Sequence, residues 1–257
     1  MEPNPQAWID ALRRSHDSLR GIVEPLDEAA LGRQSYASEW SIAQVLSHLG
    51  SGAEIFGLFL ESGLAGAEPP GRDAFPQIWQ TWNERSPQAQ ATDALATDEI
   101  LVKRLEALDA DQRDRIRMHF FGTDLDLTGL LRMRLGEHAV HKWDVAVALD
   151  PAATMAADAV SLLVDALGPI AARSGKPSDR PVAVRVGTTD PVREFLIDSG
   201  DAVRLEPADA DDSPPYLRLP AEALIRLVYG RLDPAHTPAV EASEVDLNEL
   251  RRMFPGF

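Results

Sequence analysis

WSIAQVLSHLG, residues Trp40 to Gly50, and LGEHAVHKWD, residues Leu135 to Asp144, decide the reading of this chain. The first carries one histidine, His48. The second places Glu137 and His141 four residues apart. If both segments are helical, Glu137 and His141 share a face, and two imidazoles and a carboxylate can meet in a core. Such a set leaves a fourth position open, the usual arrangement of a catalytic zinc.

Helical geometry sharpens that expectation. At 100° per residue His48 falls in the same angular range as Val45, Ile55 and Phe59, so it points inward with the apolar stripe. Gly52, one turn on, removes a side chain where another group could approach. Gln44, one turn earlier, is placed to hydrogen-bond the far nitrogen of the ring. Asp126 to Leu149 is apolar on nearly every side, with Leu127, Leu130, Leu131, Leu135, Val140, Trp143, Val145 and Val147. One narrow polar stripe runs through it: Arg134, Glu137, His141 and Asp144. Buried polar groups need partners, and a metal would serve Glu137 and His141 together, with Asp144 orienting a ligand.

Plainer readings stand beside this one. A single inward histidine is commonly a hydrogen-bonded core residue. The polar stripe also fits a solvated face with helix-spaced ion pairs. His138, three residues before His141, offers a competing His138/His141 pair. The order of residues is not HExxH, because the glutamate precedes both histidines. His16, His119 and His236 have no comparable sequence context.

Outward from these segments, Pro5 to Ile22 shows helical spacing of Trp8, Ile9, Leu12, Leu19 and Ile22. A polar connection with Pro25 and Gly32 follows. Ser41 is the expected N-cap of a helix running to about Ser62. Leu64 to Gly71 reads as a loop. A third helical region spans about Asp73 to Leu108, broken near Pro87, and the fourth long helix stops at Asp150-Pro151. Beyond Pro151 the pattern changes. One helix is expected over Ala156 to Ser174. Short runs at Val182 to Val186, Glu194 to Asp198, Val203 to Glu206 and Tyr216 to Leu219 read as antiparallel strands. Ala221 to Tyr229 and Glu244 to Met253 read as helices. The expectation is an all-α domain over 1–150 and a smaller α+β domain over 151–257.

Bulk properties bound the function. A length of 257 residues favours two domains. The net charge of −16 argues against binding nucleic acid or an anionic membrane surface. With no cysteine, disulfides, thiolate zinc sites and a cysteine nucleophile are excluded. The N-terminus lacks the basic and apolar regions of a signal peptide, and no apolar run reaches the roughly 18 to 20 residues of a membrane span. A cytoplasmic location is the default expectation.

Together the segments resemble a known pattern. Trp40, Val45, Leu46, His48 and Leu49 are similar to the second-helix signature of DinB-like four-helix bundles. Glu137 and His141, followed by Trp143-Asp144, resemble the fourth-helix signature of the mycothiol-dependent maleylpyruvate isomerase family within that group. The resemblance implies zinc ligands at His48, Glu137 and His141, and a C-terminal α+β domain similar to sterol-carrier folds. A helix ending in Gly-Arg is frequent in that domain, here Gly230-Arg231. It also implies mycothiol or a similar low-molecular-weight thiol as co-substrate, with a small electrophile as substrate, and isomerisation or S-transfer as the reaction. Arg231 is the candidate catalytic residue, binding a substrate or cofactor carboxylate through its guanidinium; the alternative is a surface arginine after a helix C-terminus. Two other functions fit the same residues: a zinc-water hydrolase, and a non-catalytic ligand-binding or regulatory bundle.

Overall fold

The computed structural model describes residues 4–37, 39–120, 122–177, 181–211 and 213–256. The chain divides into two compact units, Met1–Ala153 and Thr154–Phe257.

The first unit is built on four long helices: α1 (Pro5–Val23), α3 (Ile42–Ala65), α5 (Pro87–Glu106) and α7 (Leu127–Leu149). Each starts where a side chain caps the free N–H groups of the first turn. Asn4 and Asp126 cap α1 and α7, Ser86 caps α5 ahead of Pro87, and Ser41 forms a reciprocal capping box with Gln44 on α3. Gly66 ends α3 in the left-handed region, at φ +63°. Around the bundle α1 packs on α5 and α7, and α3 packs on the same two helices. Its core includes Leu12, Leu46, Leu49, Trp82, Leu105, Leu135, Trp143 and Val145, all nearly inaccessible to water. The short helices α2 (Glu28–Leu31) and α4 (Phe75–Asn83) occupy the connections. The polar stripe of α7 is buried at Arg134, His141 and Asp144 and meets water mainly at Glu137.

Between α5 and α7 the chain forms a turn of helix, α6 (Ala110–Arg115), and a hairpin of β1 (Arg117–Phe120) and β2 (Thr123–Asp126). Sequence periodicity gave no sign of either, because neither is long enough to show one. The Asp109/Gln112 capping box was the available signal for α6.

In the second unit the single helix expected over Ala156 to Ser174 is two, α8 (Ala157–Leu163) and α9 (Leu167–Ser174), joined by a 3₁₀ turn. Pro169 explains the break, since it lacks an N–H for an uninterrupted helix and collides with the preceding turn. Five strands follow in the spatial order β5-β4-β3-β6-β7: β3 (Ala183–Thr189), β4 (Arg193–Ser199), β5 (Val203–Pro207), β6 (Tyr216–Pro220) and β7 (Glu241–Ser243). The expectation of antiparallel strands needs one correction, because β3 and β6 pair in parallel. After the β3-β4-β5 meander the chain crosses back before entering β6, and alternation of side chains carries no information on strand direction. Helix α10 (Ala221–Val228) leaves β6 directly, and α11 (Leu247–Met253) lies near the C-terminus. Gly230 has φ +72°, and a Cβ there would fall 2.4 Å from the backbone nitrogen of Gly256, so the Gly-Arg pair needs its glycine.

Candidate metal centre

Helices α3 and α7 bring three sequence-predicted residues together. Nε2 of His48 lies 3.2 Å from Oε2 of Glu137, and Nε2 of His141 lies 3.7 Å from the same oxygen. One potential ligand atom from each residue lies within 4.8 Å of the other two. The His48 and His141 rings meet edge to face with centroids 4.6 Å apart, and the Trp40 ring lies 5.2 Å from the first and 6.1 Å from the second. The backbone carbonyl of Trp40 accepts from the Ser35 hydroxyl and the Gln34 amide, which holds the chain at the entry to α3. The cluster is open to water on one side: the His48 and Glu137 side chains are 35% and 38% exposed, that of His141 only 11%.

Asp144, completely buried one turn beyond His141, accepts a hydrogen bond from its Nδ1 at 2.9 Å. Because a carboxylate only accepts, this bond places a proton on Nδ1. In the neutral ring Nε2 then carries the lone pair and points toward the Glu137 oxygen, 3.7 Å away and beyond hydrogen-bonding range. Electron-rich atoms facing one another are what the ligand shell of a cation presents, and a carboxylate behind a histidine is the usual support of a metal-bound imidazole.

The electrostatics agree with that donor set. Burial pushes the His48 imidazole below its ordinary 6.5, against the opposing hydrogen bond with Glu137. Burial alone would raise the Glu137 carboxyl. The hydrogen bond with His48 and the charges of His141, His48 and Arg134 outweigh it and bring the carboxyl to about 2. A neutral imidazole and an ionised carboxylate are the forms that bind metals.

Two expectations are corrected. Gln44 does not back the His48 ring; its side chain accepts from the Ser41 N–H at 2.8 Å in the capping box. His138 does not compete with Glu137 for His141. It turns toward α1 and α5, where its Nε2 donates to Asp98 at 3.0 Å. His16, without a comparable sequence context, joins it there with Nδ1 donating to Asp98 at 2.7 Å. The signal was available: His16 continues the apolar stripe of Leu12 and Leu19 on α1, and Asp98 that of Ala91, Ala94, Leu101 and Leu105 on α5. Arg231 belongs to the second unit. It is half-buried, and its Nη1 donates to the Tyr229 carbonyl at 2.6 Å.

Residues 12–146 match the sequence model of the mycothiol maleylpyruvate isomerase N-terminal domain. A crystal structure of the mycothiol-dependent maleylpyruvate isomerase superposes with a TM-score of 0.68 at 13% identity, covering 90% of this chain and 91% of that one. A point mutant of that enzyme gives 0.67 at 13% identity, covering 90% of each chain. YfiT from Bacillus subtilis, described as a probable metal-dependent hydrolase, gives 0.42 at 16% identity over 59% of this chain and 90% of its own. A search of curated proteins found no match. At such identities the structural likeness is one of fold. The sequence match covers more than half of the residues, and the chain therefore belongs to the mycothiol maleylpyruvate isomerase N-terminal domain family.

Proposed function

We propose that His48, Glu137 and His141 hold a divalent metal, zinc by donor type. We further propose that the protein uses a low-molecular-weight thiol, mycothiol or a close analogue, to isomerise or S-transfer a small electrophile bearing a carboxylate. The observation that carries this is the Asp144–His141–Glu137 alignment, with His48 facing the same Glu137 oxygen. A tetrahedral zinc with ligands near 2.1 Å has ligand atoms about 3.4 Å apart. The observed 3.2 and 3.7 Å bracket that value.

A zinc ion there would supply the charge that keeps a thiol, ordinarily titrating near pH 8.5, as its thiolate at neutral pH. The chain's own residues do the rest. Asp144 holds the His141 proton on Nδ1 so that Nε2 remains a donor. Trp40 lies beside both imidazoles. With no cysteine in the chain, no internal thiol competes with the co-substrate. Addition of the thiolate to a conjugated double bond forms a C–S bond and moves an electron pair onto the conjugated carbonyl. The former double bond then rotates, the C–S bond breaks and the pair returns, which is cis–trans isomerisation. Return of the thiol's own proton to the enolate carbon, followed by release of the adduct, is S-transfer. Arg231 is proposed to pair with the substrate carboxylate, so Arg231→Ala should raise KM more than it lowers kcat.

The test is turnover of a panel of unsaturated carboxylates by zinc-loaded protein with and without mycothiol. Activity that requires both metal and thiol, and is lost in Glu137→Gln, is expected. Hydrolysis without thiol supports the zinc-water hydrolase instead, and wild-type ligand binding by metal-free His48→Ala protein supports the non-catalytic bundle.

A further inference from the structure

Deeper in the same unit lies a second group of two imidazoles and a carboxylate: His16 on α1, Asp98 on α5 and His138 on α7. Its polar atoms already have partners, Nε2 of His16 meeting Nη2 of Arg20 at 2.8 Å and Oε2 of Glu99 at 3.0 Å. Oδ1 of Asp98 accepts from Nη2 of Arg134 at 2.6 Å, and Oδ2 accepts from His16 and His138. Asp98 binds the ring of His138 through Nε2, so Nδ1 of a neutral ring accepts from the Ser15 hydroxyl, 2.9 Å away. The guanidinium supplies the positive charge that a metal would otherwise bring, which makes this an ion-pair network rather than a second metal site.

Arg134 also reaches the first cluster. The same Nη2 donates to the backbone carbonyl of Leu49 at 3.1 Å, the residue after His48 on α3. Its Nη1 fills the room left by Gly52, where a Cβ would sit 3.1 Å away. On α7, Arg134 stands three residues before Glu137 and seven before His141. All four long helices therefore converge on one buried ion pair, and that pair ties the backbone beside His48 to the helix carrying the other two proposed ligands.

We propose that Arg134, anchored by Asp98, is a positioning residue that sets the spacing of His48 against Glu137 and His141. The inference rests on the metal reading above. Metal ligands must be placed to within about 0.2 Å, and helices from separate parts of a chain have no covalent reason to keep that register. A planar guanidinium locked by a buried carboxylate supplies one. The Leu49 carbonyl has a second lone pair free of the helical ladder to accept the bond.

The experiment measures zinc affinity by competition with a chelating indicator, alongside thermal unfolding of the metal-free protein. The proteins are wild type, Glu137→Gln, Arg134→Met, Arg134→Lys and the double variant Arg134→Met/Asp98→Asn. Arg134→Met should weaken zinc binding by at least about tenfold. The double variant, which leaves no unpaired buried charge, should regain the unfolding temperature lost by Arg134→Met and still bind zinc weakly. Arg134→Lys should recover part of the affinity, because both bonds come from one nitrogen. Wild-type affinity in the double variant overturns the positioning role. Wild-type protein that fails to bind zinc, or binds it equally well as Glu137→Gln, overturns the metal reading itself.

Discussion

The bundle contains two clusters of the same composition, each with two imidazoles and a carboxylate on facing helices. His16, Asp98 and His138 are sealed from water, and Asp98 has an arginine of its own. His48 and Glu137 are partly exposed, and among the described residues the only ion-pair partners of Glu137 are the two imidazoles. The contrast shows that residue type does not make a site. A buried carboxylate that is fully hydrogen-bonded and charge-compensated holds helices together. One that meets two imidazoles beside solvent is equipped to take a cation from outside.

The sealed cluster should carry the larger stability effect. Asp98→Ala leaves Arg134 buried without a counter-charge and should cost about 3–5 kcal/mol in chemical denaturation. Glu137→Gln should do the reverse. Zinc affinity should fall by more than about a hundredfold, beyond the loss typical of groups that only support a ligand. The stability of the metal-free protein should move by less than about 1 kcal/mol. If Glu137→Gln unfolds the protein and Asp98→Ala does not, the assignment of the two clusters is inverted.

Acid probes the sealed cluster directly. Burial disfavours ionisation of Asp98, but the charges of His138 and Arg134 and the hydrogen bonds from His138 and His16 hold it well below its ordinary 3.8. The unfolded chain therefore takes up this proton first, and the stability from Asp98 is complete above pH 3.8 and lost as pH falls below it. Burial also pushes His138 below 6.5, so its contribution is complete above pH 6.5 and declines as pH falls through that value. Urea midpoints of metal-free protein should fall from about pH 6.5 downward and more steeply below 3.8, and Asp98→Asn should flatten the lower limb. A midpoint constant from pH 7 to 3 contradicts this. The smallest effect is expected for Ser15→Ala, which removes one bond to His138 and should cost about 1 kcal/mol.

Much of this was legible in the sequence because it is local. The capping serine of α3, the stop at Asp150-Pro151 and the face shared by Glu137 and His141 all follow from helical spacing. So does the inward direction of His48; its meeting with Glu137, 89 positions further on, came from the family resemblance and not from spacing. What escaped was pairing at long range. His16 and Asp98 stand 82 positions apart, and only packing of α1 on α5 brings them together. Gln44 illustrates a competition that spacing cannot decide: the same amide could serve the ring one turn on or the cap one turn back, and the unsatisfied N–H of Ser41 took it. The parallel β3–β6 pair depends on where the chain crosses, which the alternation of Tyr216 to Leu219 does not encode.

The most direct measurement is an anomalous difference map at the zinc edge from crystals of the wild-type protein grown with one equivalent of zinc. The expected result is a single peak about 2.0–2.2 Å from Nε2 of His48, Nε2 of His141 and an oxygen of Glu137. A peak among His16, Asp98 and His138 instead, or none at Glu137, would contradict the proposed centre and leave the thiol chemistry without its activating ion.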